Sequence, residues 1–225
     1  AIGMLNEIVG INATKAKGKK ANTSCTTKSA AGTCKALEER FGIASFSLVT
    51  THAHTNPKKQ VLVGRMESGT MPPEPDPEVD EFSVEKTGAG DALEWVIPTL
   101  RGRLTSALAV RGPVINGSIT VLKVTLKGET TADEVLETLR EFARRHPKVL
   151  MFPNDVARVA DGKFGSNRFK NTAHVRACKS DGILMRVEGR GTEFTVILGY
   201  DNEQAPARAG NDLVLHQEGR LQAAA

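Results

Sequence analysis

This chain has little of several things, and each shortage excludes something. Aromatic residues make up 4% of its 225 residues, with one Trp and one Tyr, so the core must be mainly aliphatic. A nucleic-acid surface wants an aromatic platform or a basic helix face; neither is present, and nucleic acid is not an expected partner. The three cysteines, Cys25, Cys34 and Cys178, include no C-x-x-C pair. That argues against a disulfide framework or a structural zinc site and fits a reducing cytosol. No run approaches the roughly 18 apolar residues of a membrane span, and no signal peptide is visible. The expected location is therefore cytoplasmic, with no membrane partner. There is also no G-x-G-x-x-G: Gly88-Ala89-Gly90-Asp91 stops after two glycines, so the chain has no dinucleotide fingerprint of its own.

What is present is ordinary for a globular protein: 40% hydrophobic, 25% charged, net charge +4. The length suits one large domain or two small ones. Basic residues are scattered except for Lys15, Lys17, Lys19 and Lys20, which read as a solvated loop or a local attraction for anionic substrates. Ile8-Val9-Gly10-Ile11 reads as a short strand. A helix should start near Cys25–Lys28, carry Cys34, Leu37 and Phe41 on its apolar face and close at Gly42; Ile43–Thr51 then reads as a strand. Four prolines in Met71–Glu78 block helix and sheet, so residues 71–81 are expected to form an acidic extended loop. Thr87-Gly88-Ala89-Gly90 leads a helix with Leu93, Val96, Ile97 and Leu100 on one face. Strands are expected at about 104–111 and 118–126. Thr131-Ala132-Asp133-Glu134 is a capping box ahead of the stripe Val135, Leu136, Leu139, Phe142 and Ala143. Ile183–Val187 and Phe194–Leu198 form a hairpin across Gly189-Arg190-Gly191. Helices alternate with hairpins rather than with repeated βαβ units. The fold class is therefore α+β, a mostly antiparallel mixed sheet covered by helices.

Chemistry concentrates at Ser24-Cys25-Thr26-Thr27 and Thr51-His52-Ala53-His54-Thr55-Asn56. A cysteine at a helix N-terminus feels the positive end of the helix dipole, which should lower its pKa, and a partner imidazole would complete an activated nucleophile. Taken singly, each residue also has a plainer reading. Cys25 can be a buried helix-start cysteine, Thr87 and Gly88 a helix cap, Arg111 the partner of a surface carboxylate, and Asn202 a turn residue.

In order along the chain, Ser24-Cys25-Thr26-Thr27, His52-Ala53-His54-Thr55-Asn56, Thr87-Gly88-Ala89, Ala109-Val110-Arg111-Gly112-Pro113 and Tyr200-Asp201-Asn202-Glu203 stand out. This series resembles the catalytic, C-terminal domain of glyceraldehyde-3-phosphate dehydrogenase, whose pattern runs S-C-T-T-N-C, H-A-Y-T-N, T-G-A, A-x-R-V-P and W-Y-D-N-E. The resemblance spans roughly residues 8–203 and leaves 204–225 as a divergent tail. It implies that Cys25 is the nucleophile and His52 its general base. It implies that Ser24, Thr26, Thr87 and Gly88 hold the attacking phosphate, that Thr55 and Arg111 hold the substrate's own phosphate, and that Asn202 orients the nicotinamide of NAD or NADP. It also implies an oligomer.

The departures are specific. The family's N-terminal Rossmann domain has no counterpart in this sequence. Lys28 and Ser29 stand where the family has Asn and Cys, Pro57 replaces an acidic residue, and Gly199 replaces a Trp. Three functions remain open. One is a dehydrogenase of phosphorylated aldehydes whose cofactor domain lies on a partner chain or elsewhere. The second is a non-catalytic pseudoenzyme kept as an assembly subunit. The third is a Cys/His acyl-transfer enzyme that needs no cofactor.

Overall fold

The computed structural model describes residues 5–14, 19–53, 82–112, 117–152, 180–202 and 204–220. Among them the order is β1 (Leu5–Asn6), β2 (Lys20–Ala21), α1 (Cys25–Arg40), β3 (Ile43–Ala53), β4 (Ser83–Lys86), α2 (Ala89–Val96), β5 (Leu104–Gly112), β6 (Ser118–Thr130), α3 (Ala132–Arg145), β7 (Leu150–Met151), β8 (Gly182–Tyr200) and α4 (Gln204–Gln217). β1 and β2 pair in parallel; the other strands form one six-stranded sheet in the order β4-β5-β3-β6-β8-β7. Within it β3–β5 and β7–β8 are parallel and the other neighbours antiparallel. This is the α+β mixed sheet that the sequence pattern implies.

Alternation decides which side is covered. Phe46, Leu48, Leu122, Val124, Leu126, Phe194, Val196 and Leu198 point to one face and are buried there. Helices α1, α2 and α3 pack on that face. Helix α3 owes its start to the capping box: the Thr131 hydroxyl accepts from Glu134 N, and the Glu134 carboxylate accepts from Thr131 N at 3.2 Å. Its stripe of Val135, Leu139, Phe142 and Ala143 is buried. Helix α1 ends where Gly42 takes φ +70, a left-handed turn that suits glycine.

Several expectations change. Ile8–Ile11 is a turn rather than a strand: Gly10 sits at φ +87, and the Ile8 carbonyl accepts from Ile11, Asn12 and Ala13. Lys20 is not a solvated lysine; its ammonium lies 2.7 Å from the Glu7 carboxylate, both nearly buried. β5 and β6 follow each other in sequence but are not neighbours, because β3 lies between them. The expected turn at Gly189–Gly191 falls inside the 19-residue β8, where the chain doubles back closely enough that a Cβ on Gly189 would stand 2.2 Å from the Glu193 carbonyl oxygen. The tail contains a helix, α4, on which Ala205, Ala209 and Leu213 are buried at four-residue spacing. Side chains that small left only a faint hydropathy signal. The acidic loop 71–81 and Cys178 lie outside the described residues.

One close approach positions the site. β8 begins at Gly182 directly beneath α1, and a Cβ there would lie 2.5 Å from the Ser29 carbonyl oxygen. Helix backbone cannot yield like a flexible side chain. Gly182→Ala is expected to destabilise the fold by about 2 kcal/mol through overpacking, read as a lowered denaturation midpoint at unchanged m.

Candidate thiol–imidazole site

Cys25 is the first residue of α1. The preceding Ser24 is the N-cap, with extended backbone, and its hydroxyl accepts from Thr27 N at 3.0 Å. Thr23, just before it, carries the left-handed φ of +28, and its Oγ1 is buried with no hydrogen-bond partner among the described residues. A β-branched residue in that region stores about 1 kcal/mol of strain. The chain enters α1 through a strained turn.

His52 lies near the end of β3, and its Nε2 is 3.5 Å from Cys25 Sγ. Two residues 27 apart in sequence are thus brought into hydrogen-bond reach by α1 packing across the sheet. Burial is the dominant influence on the Cys25 thiol and pushes it above its ordinary value. The Thr26 N–H and hydroxyl, Lys28 and the residue's own N–H pull it down by less. The expected net lowering is therefore corrected: the helix start acts as expected, but burial outweighs it. By contrast Cys34 is wholly buried, and its thiol is pushed up to about 12, which makes it an inert core residue.

The helix starts converge. Thr27 Oγ1 donates to the Ala89 carbonyl at 3.2 Å, linking the N-terminus of α1 to that of α2. There Gly88 is the N-cap, and Thr87 Oγ1 accepts from Ala89 N at 3.3 Å. Ser24, Thr26, Thr87 and Gly88 therefore belong to two adjoining helix starts. Thr26 Oγ1 turns toward Tyr200, 2.8 Å from its hydroxyl, which also lies 2.7 Å from Thr50 Oγ1. Arg111 on β5 is the register partner of His52 on β3, and its Nε donates to Glu85 on β4 at 3.2 Å. Ser118 donates to Asn202 Oδ1 at 2.7 Å. Thr55 lies outside the described residues.

Sequence reasoning passed over three participants: Tyr200, Glu85 and Lys28. Tyr200 is fully buried, and the hydroxyl of the chain's one tyrosine bridges α1 and β3, with its ring centroid 6.3 Å from that of His52. Its uniqueness was a usable signal. Glu85 carried none.

Fold and site together define a class: an α+β domain whose helix-covered sheet presents a cysteine–histidine pair at a helix N-terminus. Residues 24–202 match the family of the glyceraldehyde 3-phosphate dehydrogenase C-terminal domain, and the chain belongs to that family. It is 33% identical over 208 residues to glyceraldehyde-3-phosphate dehydrogenase 2 of Bacillus subtilis (strain 168), covering 89% of this chain and 55% of that protein. With glyceraldehyde-3-phosphate dehydrogenase of Schizophyllum commune it shares 30% identity over 231 residues, covering 95% of this chain and 61% of the relative. A cytosolic form from Chlamydomonas reinhardtii is 29% identical over 203 residues. The chain thus spans little more than half the length of the curated relatives it matches. Among the described residues no helix is long and apolar enough to cross a membrane.

Proposed function

We propose that this chain supplies the thiol half of a glyceraldehyde-3-phosphate dehydrogenase-type reaction. It would oxidise a phosphorylated aldehyde through a thioester, with NAD(P) held by another domain or chain. The observation that carries this reading is the 3.5 Å contact between Cys25 Sγ and His52 Nε2 at the start of α1.

The chemistry of this chain's own residues balances without an oxidant. His52 Nε2 takes the Cys25 proton, and the thiolate attacks the aldehyde carbon. The carbonyl π pair moves to oxygen, which takes the proton back from the imidazolium to give a thiohemiacetal. Because burial keeps the thiol protonated at rest, activation depends on His52 rather than on a standing thiolate. The adjoining starts of α1 and α2 support Ser24, Thr26, Thr87 and Gly88 as the cradle for attacking phosphate. Arg111, with Thr55, would hold the substrate's phosphate.

The donor set of the described residues does not fit a whole dinucleotide. Asn202 is the one described residue assigned to the nicotinamide, and neither α1 nor α2 opens with a glycine-rich pyrophosphate turn. No step is therefore routed through a cofactor on this chain, and an oligomer or larger complex would complete the enzyme. The same donor set favours a second reading, a cofactor-free Cys/His acyl transferase.

The test is protection. Glyceraldehyde 3-phosphate should slow iodoacetamide labelling of Cys25 in the wild type, and mass spectrometry of the Cys25 peptide reads the result. Unchanged labelling at saturating aldehyde would sink the proposal. An acyl-enzyme formed from p-nitrophenyl acetate but no aldehyde protection would favour the transferase. Native mass measurement tests the assembly.

Glu85 bears on substrate choice, because an incoming phosphate must compete with its carboxylate for Arg111. The pair is partly exposed, with side-chain exposures of 27% and 53%, so its strength is of the order of 0.2–1 kcal/mol. Glu85→Gln is expected to lower the glyceraldehyde 3-phosphate concentration that half-protects Cys25 by about two- to fivefold. Unphosphorylated glyceraldehyde should show no such change.

A further inference from the structure

Lys28 breaks two rules at once. Its residue surface is 1% exposed, and its ammonium donates to one described partner, the Asn22 carbonyl, at 2.7 Å. Fully buried lysines are rare unless paired with a carboxylate, and among the described residues none pairs with this one. It also lies in the first turn of α1 with its head curled back to Asn22, two residues before the N-cap. A cation there faces the positive end of the helix dipole, where acidic residues are stabilising. The first turn of α1 has no acidic residue.

Both faults favour the same species. A buried cation beside a helix N-terminus is unfavourable for the empty fold and favourable for an anion formed at that terminus. Cys25 is three residues earlier on the same helix, the spacing that puts side chains on one face. We propose that Lys28 is a positioning residue for the nucleophile, its ammonium held beneath the first turn of α1 to stabilise the Cys25 thiolate. This rests on the reading of Cys25 as the nucleophile.

The charges around the pair agree. Burial, the largest influence, lowers the Lys28 pKa to about 8 with help from Arg208, while Asp181 and then Cys25 favour the protonated lysine. Asp181 is not a competing counter-ion at contact, because Arg208 of α4 holds it at 2.6 Å, with Asp212 at 2.8 Å on the same guanidinium. Facing Cys25 are His52 from β3 and the Tyr200 hydroxyl from β8, whose pKa burial raises to about 12. Burial raises the Cys25 thiol, and the Lys28 charge works against it, in the direction that favours the thiolate.

The experiment is the pH profile of Cys25 alkylation by iodoacetamide in the full chain, from pH 5.5 to 10, read on the Cys25 peptide by mass spectrometry. In Lys28→Met labelling at pH 7, where Lys28 is charged, should be about tenfold slower, and the difference should narrow above pH 8 as the wild-type lysine loses its proton. Lys28→Arg, which keeps the charge, should restore the wild-type rate at pH 7. The wild type alone gives a second reading if a variant fails to fold. Losing either proton raises the other group's pKa, so its curve should be broader than a one-proton titration. Coincident Met and wild-type profiles, or a one-proton wild-type curve, would overturn the role of Lys28 while leaving Cys25 as nucleophile. A wild-type Cys25 that labels at no pH would overturn both.

Discussion

Replacing His52 with Gln is expected to slow attack of Cys25 on an aldehyde at pH 7 by about 10²–10⁴-fold. The direction follows from the thiol itself. Burial holds Cys25 in its protonated form, so at neutral pH the nucleophile exists only when a base takes the proton. His52 Nε2, at 3.5 Å from Sγ, is the described group placed to do so. A glutamine can keep a polar contact but cannot accept and return a proton. The deficit should therefore shrink as pH rises and solvent hydroxide does the work of the imidazole. Rapid-mixing measurement of thiohemiacetal formation between pH 6 and 10 checks both features, with Cys25→Ser as the zero. A deficit that stayed constant across that range would mean that His52 only shapes the pocket.

Much of the scaffold was legible because its signals are local and redundant. Thr131 and Glu134 announce α3 by their spacing, and the apolar stripe behind them admits one period. β3 shows itself through alternation, with Phe46, Leu48 and Thr50 turned inward. The residues that meet at the site were named from ordered motifs, and the structure shows how Cys25 and His52 come within reach. What was not legible depends on long-range placement. Sequence order makes β5 and β6 look like hairpin partners, and only the sheet reveals β3 between them. The net effect on the Cys25 thiol could not be read, because helix-dipole direction is local but burial is tertiary. Glu85 meets Arg111 only once β4 pairs with β5. Helix α4 was missed because Ala205 and Ala209 bury too little surface to mark a face.

Lys28→Met should make the protein more stable by about 1–2 kcal/mol near neutral pH, the opposite sign to its effect on Cys25 reactivity, because removing the buried charge outweighs the hydrogen bond that the Asn22 carbonyl loses. The gap between the ordinary 10.5 and about 8 reflects the net cost of charging the lysine, burial outweighing the pull of Asp181 and Cys25, at about 1.36 kcal/mol for each pH unit. Below pH 8 the lysine is protonated in both folded and unfolded states, and that cost is present in full. Between about 8 and 10.5 the unfolded chain binds more protons than the folded one, so wild-type stability should rise with pH from this group. In Lys28→Met that rise should vanish, because methionine carries no charge and fits an apolar site with little rearrangement. Asp181 is not orphaned by the change, since Arg208 remains paired with it at 2.6 Å. Urea denaturation at pH 7 and pH 10 measures both quantities. A merely structural lysine would give a variant that is less stable and no less reactive. A residue retained for the nucleophile gives the reverse on both counts.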